Sequence, residues 1–180
     1  MRKARLVTVM LAAVCHDLLT RVEDQAALLA SLAGVLTEDG VLSLGFANRD
    51  WLALRSARRG DHAAALRLVE RGSGGLKPRP PEDRGSGGLG LRPPVGGGEA
   101  MTLDEVEVEL DKAGFEVVTA SGVGVFADAG DDELGRGELA ALVELERLVA
   151  GREPYRSSAR TLHLVARRRV FRPDLPGDSL

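Results

Sequence analysis

One cysteine in 180 residues leaves no means of building an internal disulfide framework or a cysteine-cluster metal site, and no metal site is expected. The chain also lacks a strong charge of either sign. Its net charge of −3 is not that of a chain that binds polyanions along its whole surface. It lacks a long apolar run as well. The longest, Leu6 to Cys15, spans about ten residues where about 20 are needed to cross a bilayer. Met1-Arg-Lys-Ala-Arg5 gives that run a basic start, as in a secretion signal. However, His16-Asp17 closes it where small residues would mark a cleavage site. A strand is the better reading, a membrane role is not expected, and a cytoplasmic location is the default.

What is present has α/β order. Leu6 to Val14 is aliphatic and β-branched without polar alternation, the pattern of a strand buried on both faces of a parallel sheet. Val22, Ala26, Leu29, Leu32, Ala33 and Leu36 then recur at helical steps. Asp24 stands near the start of that helix, where an anion favours the positive end of the dipole. Asp39-Gly40 predicts a turn, and Val41 to Phe46 a second buried strand. Strand, helix, strand over 6–46 predicts a parallel pair joined by a right-handed crossover.

Residues 50–70 predict a helix interrupted at Gly60, and hence two short ones. Residues 71–98 change character, with ten glycines, five prolines and the string Arg-Gly-Ser-Gly-Gly-Leu at 71–76 and again at 84–89. Such a composition predicts a flexible insertion. Closing a loop of about 28 residues costs about 3 kcal/mol, which one domain tolerates. Thr102-Leu-Asp-Glu105 is a capping box opening a helix to Lys112-Ala113, which Gly114 stops. Phe115 to Thr119 predicts a third strand, 132–150 a helix and Thr161 to Ala166 a fourth strand. The whole predicts one domain over 1–170 with an insertion at 71–98 and a frayed tail at 171–180.

The residues carry a family likeness. Cys15-His-Asp-Leu-Leu-Thr-Arg-Val-Glu-Asp24, Leu28 to Leu36 and Asp39-Gly-Val-Leu-Ser-Leu44 resemble a strand, helix and strand of class I methyltransferases dependent on S-adenosylmethionine. Further on, Phe46-Ala-Asn48, Ala113-Gly-Phe-Glu-Val117, Gly122 to Asp128, Leu142-Val-Glu-Leu-Glu146, Glu153-Pro-Tyr155 and Leu162 to Arg167 follow in order. Together they resemble the branch of the tRNA 5-carboxymethoxyuridine methyltransferases over roughly residues 6–50 and 101–169. The resemblance implies a partial Rossmann-like fold, namely the C-terminal half of the sheet with its last strand antiparallel. It also implies S-adenosylmethionine as cofactor, and a tRNA or a small molecule as methyl acceptor. A carboxylate acceptor would need cationic residues and no base. The family precedes these elements with a strand, a glycine-rich turn and an acidic residue that hold the cofactor. The chain lacks them, and where the family has an arginine it has Gly124.

Candidate residues follow from the carboxyl ends of the strands, where open α/β sheets bind ligands. By resemblance His16 lines the cofactor or substrate pocket; read alone, it caps a strand-to-helix turn. Asn48 either contacts substrate or caps the next helix. Arg49 either meets an anion or is a solvated charge. Tyr155, the single tyrosine, and Arg156 lie in a segment that the resemblance folds over the site. Tyr155 stacks on a base or packs at a loop corner. His163, inside a strand, reads as structural, and no catalytic acid or base stands out. Two functional readings stay open: methyl transfer by a chain shortened at its N-terminus, or an inactive interaction module or gene remnant. Shortening would leave the first strand a bare apolar edge, prone to self-association.

Overall fold

The computed structural model describes residues 10–71, 100–127 and 134–169. The Leu6–Val9 part of the first strand, almost all of the glycine- and proline-rich insertion, Asp128, positions 132–133 of the predicted fifth helix and the tail lie outside the described residues.

Four strands form one mixed sheet: β1 (Met10–His16), β2 (Leu36–Ala47), β3 (Phe115–Val123) and β4 (Thr161–Arg168), in the spatial order β1-β2-β4-β3. β1 and β2 are parallel, with Ala13 opposite Leu42 and Cys15 opposite Leu44, and helix α1 (Gln25–Val35) joins them. β4 runs antiparallel to both neighbours. It is inserted between β2 and β3 although it comes last in the chain. The fold is mixed α/β, a partial Rossmann-like sheet with its last strand antiparallel, as expected.

Local chemistry sets the element ends. Asp24 caps α1, its carboxylate accepting from Ala27 N–H at 2.8 Å. Asn48 caps α2 (Arg49–Arg58), and Gly60, at φ +80°, separates it from α3 (His62–Arg71). Thr102 and Glu105 form the complete capping box of α4 (Leu103–Lys112). Gly114 ends that helix at φ +83°, a left-handed conformation that glycine adopts without a Cβ clash. Helices α5 (Arg136–Val149) and α6 (Tyr155–Ser158) precede β4.

The core lies on one face of the sheet. Ala13, Cys15, Leu42, Leu44, Phe46, Leu162, Leu164 and Ala166 meet Leu29 of α1 and Val106 and Leu110 of α4 there. Two expectations need correction. β1 is not buried on both faces: Val14 is 73% exposed and Leu11 79%. β1 stands at the sheet edge, and its apolar run records strand propensity, not how many layers cover it. The Asp39-Gly40 turn also does not precede β2 but lies inside it. Met10 pairs with Leu36 and Ala12 with Val41, so the extra β2 residues form an irregularity in the ladder. A Cβ on Gly40 would come within 2.9 Å of Leu36 Cβ and Thr37 O.

Candidate functional site

The parallel pairing places the carboxyl ends of β1 and β2 side by side. His16 ends β1 and lies opposite Gly45 of β2, which in turn lies opposite His163 of β4. A Cβ on Gly45 would sit 3.1 Å from the His16 ring. The glycine therefore leaves room for the two imidazoles to meet across it. Their centroids are 5.4 Å apart and nearly perpendicular. Ser43, two residues earlier on β2 and on the same face, bridges them. Its Oγ is 3.2 Å from His16 Nε2 and 2.9 Å from His163 Nε2.

This group lies on the sheet face opposite the core, with His16 exposed and His163 half-buried. Burial, with the nearby His16 charge second, lowers the His163 pKa and favours its neutral ring. Asp17 follows His16 at φ 57°, unusual for a residue with a side chain, and its N–H donates to Gly45 O at 2.8 Å. Backbone held in that region often marks a functional turn.

Asn48 is wholly buried, and its side chain is engaged throughout. Its Oδ1 accepts from Asp50 N–H, while Nδ2 donates to Ser157 O and Ala159 O, both at 2.8 Å. It thus ties α6 to the start of α2. Arg49 is also buried and pairs with Glu105 of the capping box. Arg156 pairs with Glu153 at 2.7 Å. Tyr155 packs against Phe126, with ring centroids 5.7 Å apart. The candidates therefore fall into separate groups: His16 with Ser43 and His163, Asn48 with α6, and Arg49 with Glu105.

Beside Arg49 lies a cleft of about 840 Å³, lined by Glu23, Asp24, Asp104, Glu105 and Glu109 among others. Its carboxylates would repel a phosphate backbone. Among the described residues no group of three or more His, Cys, Asp or Glu is placed to hold a metal ion. Burial raises the Cys15 thiol pKa, consistent with a small packing residue. Among the described residues no helix is long and apolar enough to cross a membrane.

Sequence reasoning passed over Ser43 and read His163 as structural. The signal was the spacing of His16, Ser43-Leu-Gly45 and His163, but it has meaning only once the strand order and register are known.

No family model matches the chain, and no curated protein matches it. Among solved structures, the chain is similar to one in the complex between the Haloferax volcanii Trm112 methyltransferase activator and its methyltransferase. The TM-score is 0.48 at 10% identity, covering 92% of this chain and 56% of that one. It is also similar to PKMT2 from Rickettsia typhi, with a TM-score of 0.41 at 10% identity, covering 89% of this chain and 36% of that one. The chain thus spans about half the length of the first and about a third of the second.

Proposed function

We propose that the chain is a methyltransferase-type α/β unit whose ligand, S-adenosylmethionine or the methyl acceptor, contacts the carboxyl ends of β1 and β2. One observation carries this reading. The two parallel strands end together, with an exposed histidine closing β1 and a left-handed aspartate directly after it. Ligands of open α/β sheets gather at such ends. The sequence resemblance supports the same place and supplies the cofactor class.

The residues present fit one side of that cofactor only. His16 stands where the resemblance puts a cofactor contact. The glycine-rich turn and acidic strand end that would hold the rest have no counterpart among the described residues. Isothermal titration of the purified chain with S-adenosylmethionine tests the reading. Weak binding is expected, with Kd about 1 mM or near −4 kcal/mol, and His16→Ala should abolish it. Binding that ignores His16→Ala, or none at several millimolar, sinks S-adenosylmethionine as that ligand.

A second reading, a non-enzymatic interaction module, is favoured by a different observation. α5 leaves Leu139, Val143, Leu145 and Leu148 exposed, and β1 leaves Leu11 and Val14 exposed. Apolar surface of that extent marks interaction sites. A chain with no affinity for S-adenosylmethionine that forms a defined complex in solution fits this second reading.

A further inference from the structure

We propose that Ser43 and His163 are positioning residues that hold His16 in its Nε2–H tautomer, leaving His16 Nδ1 as a base for a hydroxyl or N–H group of the bound ligand. This rests on the reading that a ligand occupies the carboxyl ends of β1 and β2.

A serine hydroxyl has one proton to donate and lone pairs to accept with. Bridging two imidazole nitrogens, it donates to one and accepts from the other. One ring must then carry its proton on Nε2, and the other must present a bare Nε2. The distances assign the roles. The 2.9 Å contact to His163 suits the shorter O–H donor bond, and the 3.2 Å contact to His16 suits an N–H donor. Environment agrees, since His163 is half-buried and serves best as a neutral acceptor. With Ser43 turned toward His163, its lone pairs face His16, which answers with Nε2–H. Nδ1 of His16 is then bare, and it has no hydrogen-bond partner among the described residues.

The surroundings support a proton-accepting role. Val14 and Val165 flank Ser43 on the neighbouring strands, Ser121 lies opposite His163 on β3, and Arg167 lies beyond Val165 on β4. Gly45 removes the side chain that would keep the rings apart. His16 is also the exposed end of the chain of bonds, so a ligand reaches it first.

The step is a proton transfer that leaves every other bond in place. The ligand's O–H or N–H proton moves to His16 Nδ1. The imidazolium keeps its Nε2–H, whose bond to Ser43 strengthens with the charge. Ser43 stays a hydroxyl and His163 stays neutral. The arrangement also narrows the acceptor class. A carboxylate needs a cation, and the two candidate arginines, Arg49 and Arg156, are already paired with Glu105 and Glu153. A hydroxyl or N–H acceptor needs a base, which His16 supplies.

Long-range ¹⁵N NMR of the full chain, at a pH where both rings are neutral, reads the tautomers directly. The wild type should show His16 as Nε2–H and His163 as Nδ1–H. Ser43→Ala should relax the His16 preference, and Ser43→Thr should retain it. Both rings in one tautomer, or a pattern that Ser43→Ala leaves unchanged, overturns the proposal. Amide spectra of each variant confirm folding.

p-Nitrophenol, at a pH where it is mostly un-ionised, probes proton acceptance through its phenolate absorbance. The phenolate signal should rise with wild-type protein, vanish in His16→Gln and fall several-fold in Ser43→Ala. No rise, or an equal rise in His16→Gln, also overturns it. Titration with S-adenosylmethionine separates the two ideas. His16 resonances that ignore millimolar cofactor count against the ligand reading, while the tautomer pattern tests the base on its own.

Discussion

At the scale of single residues, Glu146 shows how one side chain fixes a loop. Its carboxylate accepts from Val125, Phe126 and Ala127 N–H at 3.0, 2.7 and 3.0 Å, pinning the turn after β3 to α5. Burial raises its pKa, but these backbone donors outweigh burial and hold it below the usual carboxylate value. A depressed folded pKa gives stability that is present above the unfolded value. That stability is lost as pH falls through the folded one. Glu146→Gln should therefore lower stability by about 1–3 kcal/mol at neutral pH, measured by urea unfolding. It should also flatten the acid limb of the stability profile; an unchanged limb means that other carboxylates dominate. Asn48 is the second such residue. Asn48→Ala removes a cap and leaves two carbonyls without their donor, so a loss of about 2 kcal/mol or more is expected in thermal unfolding. Asn48→Asp keeps the cap and loses both donations, and it should loosen α6, seen as faster proteolysis near 155–158. The cap was legible in the sequence. The bonds to Ser157 and Ala159 join residues more than a hundred positions apart and were not.

At the scale of elements, close contacts decide what the sequence leaves open. Gly122 of β3 sits under α6. A Cβ there would be 2.6 Å from Ala159 Cβ and 3.0 Å from Arg156 Cα. Gly122→Ala should push α6 off the sheet and cost about 1–3 kcal/mol, as overpacked sites do. Amide exchange should rise at 155–159 and stay unchanged in α4; uniform loss of protection would instead mean global unfolding. Helix ends were readable because their causes are local: Thr102 with Glu105, Gly60 and Gly114 act within a turn of the chain. β2 was less readable. Leu36 to Gly40 carries a polar turn signal, yet it pairs in part with β1 and extends the strand beyond its apolar stretch.

At the scale of the whole molecule, β1 and β3 are the two edges of the sheet among the described residues, and β1 exposes Leu11 and Val14. An apolar edge with unpaired backbone groups invites pairing with another chain. The purified protein should self-associate in size-exclusion chromatography with light scattering, and Leu11→Lys with Val14→Lys should shift it toward monomer. A wild-type monomer that melts cooperatively above about 50 °C would count against this. By itself the sequence determined most of the elements, the caps at Asn48 and Thr102 and the parallel crossover expected within residues 6–46, because periodicity, turn residues and chain connectivity are local properties. Only the tertiary structure decided that β4 inserts between β2 and β3. That insertion brings His163 to Ser43 and His16, and among the described residues the layering leaves the other face of the sheet without a helix. The reason is physical: strand order and layer cover depend on which apolar surfaces meet, and in a run such as Leu11 to Cys15 each residue's hydrophobicity is the same whichever neighbour it finds.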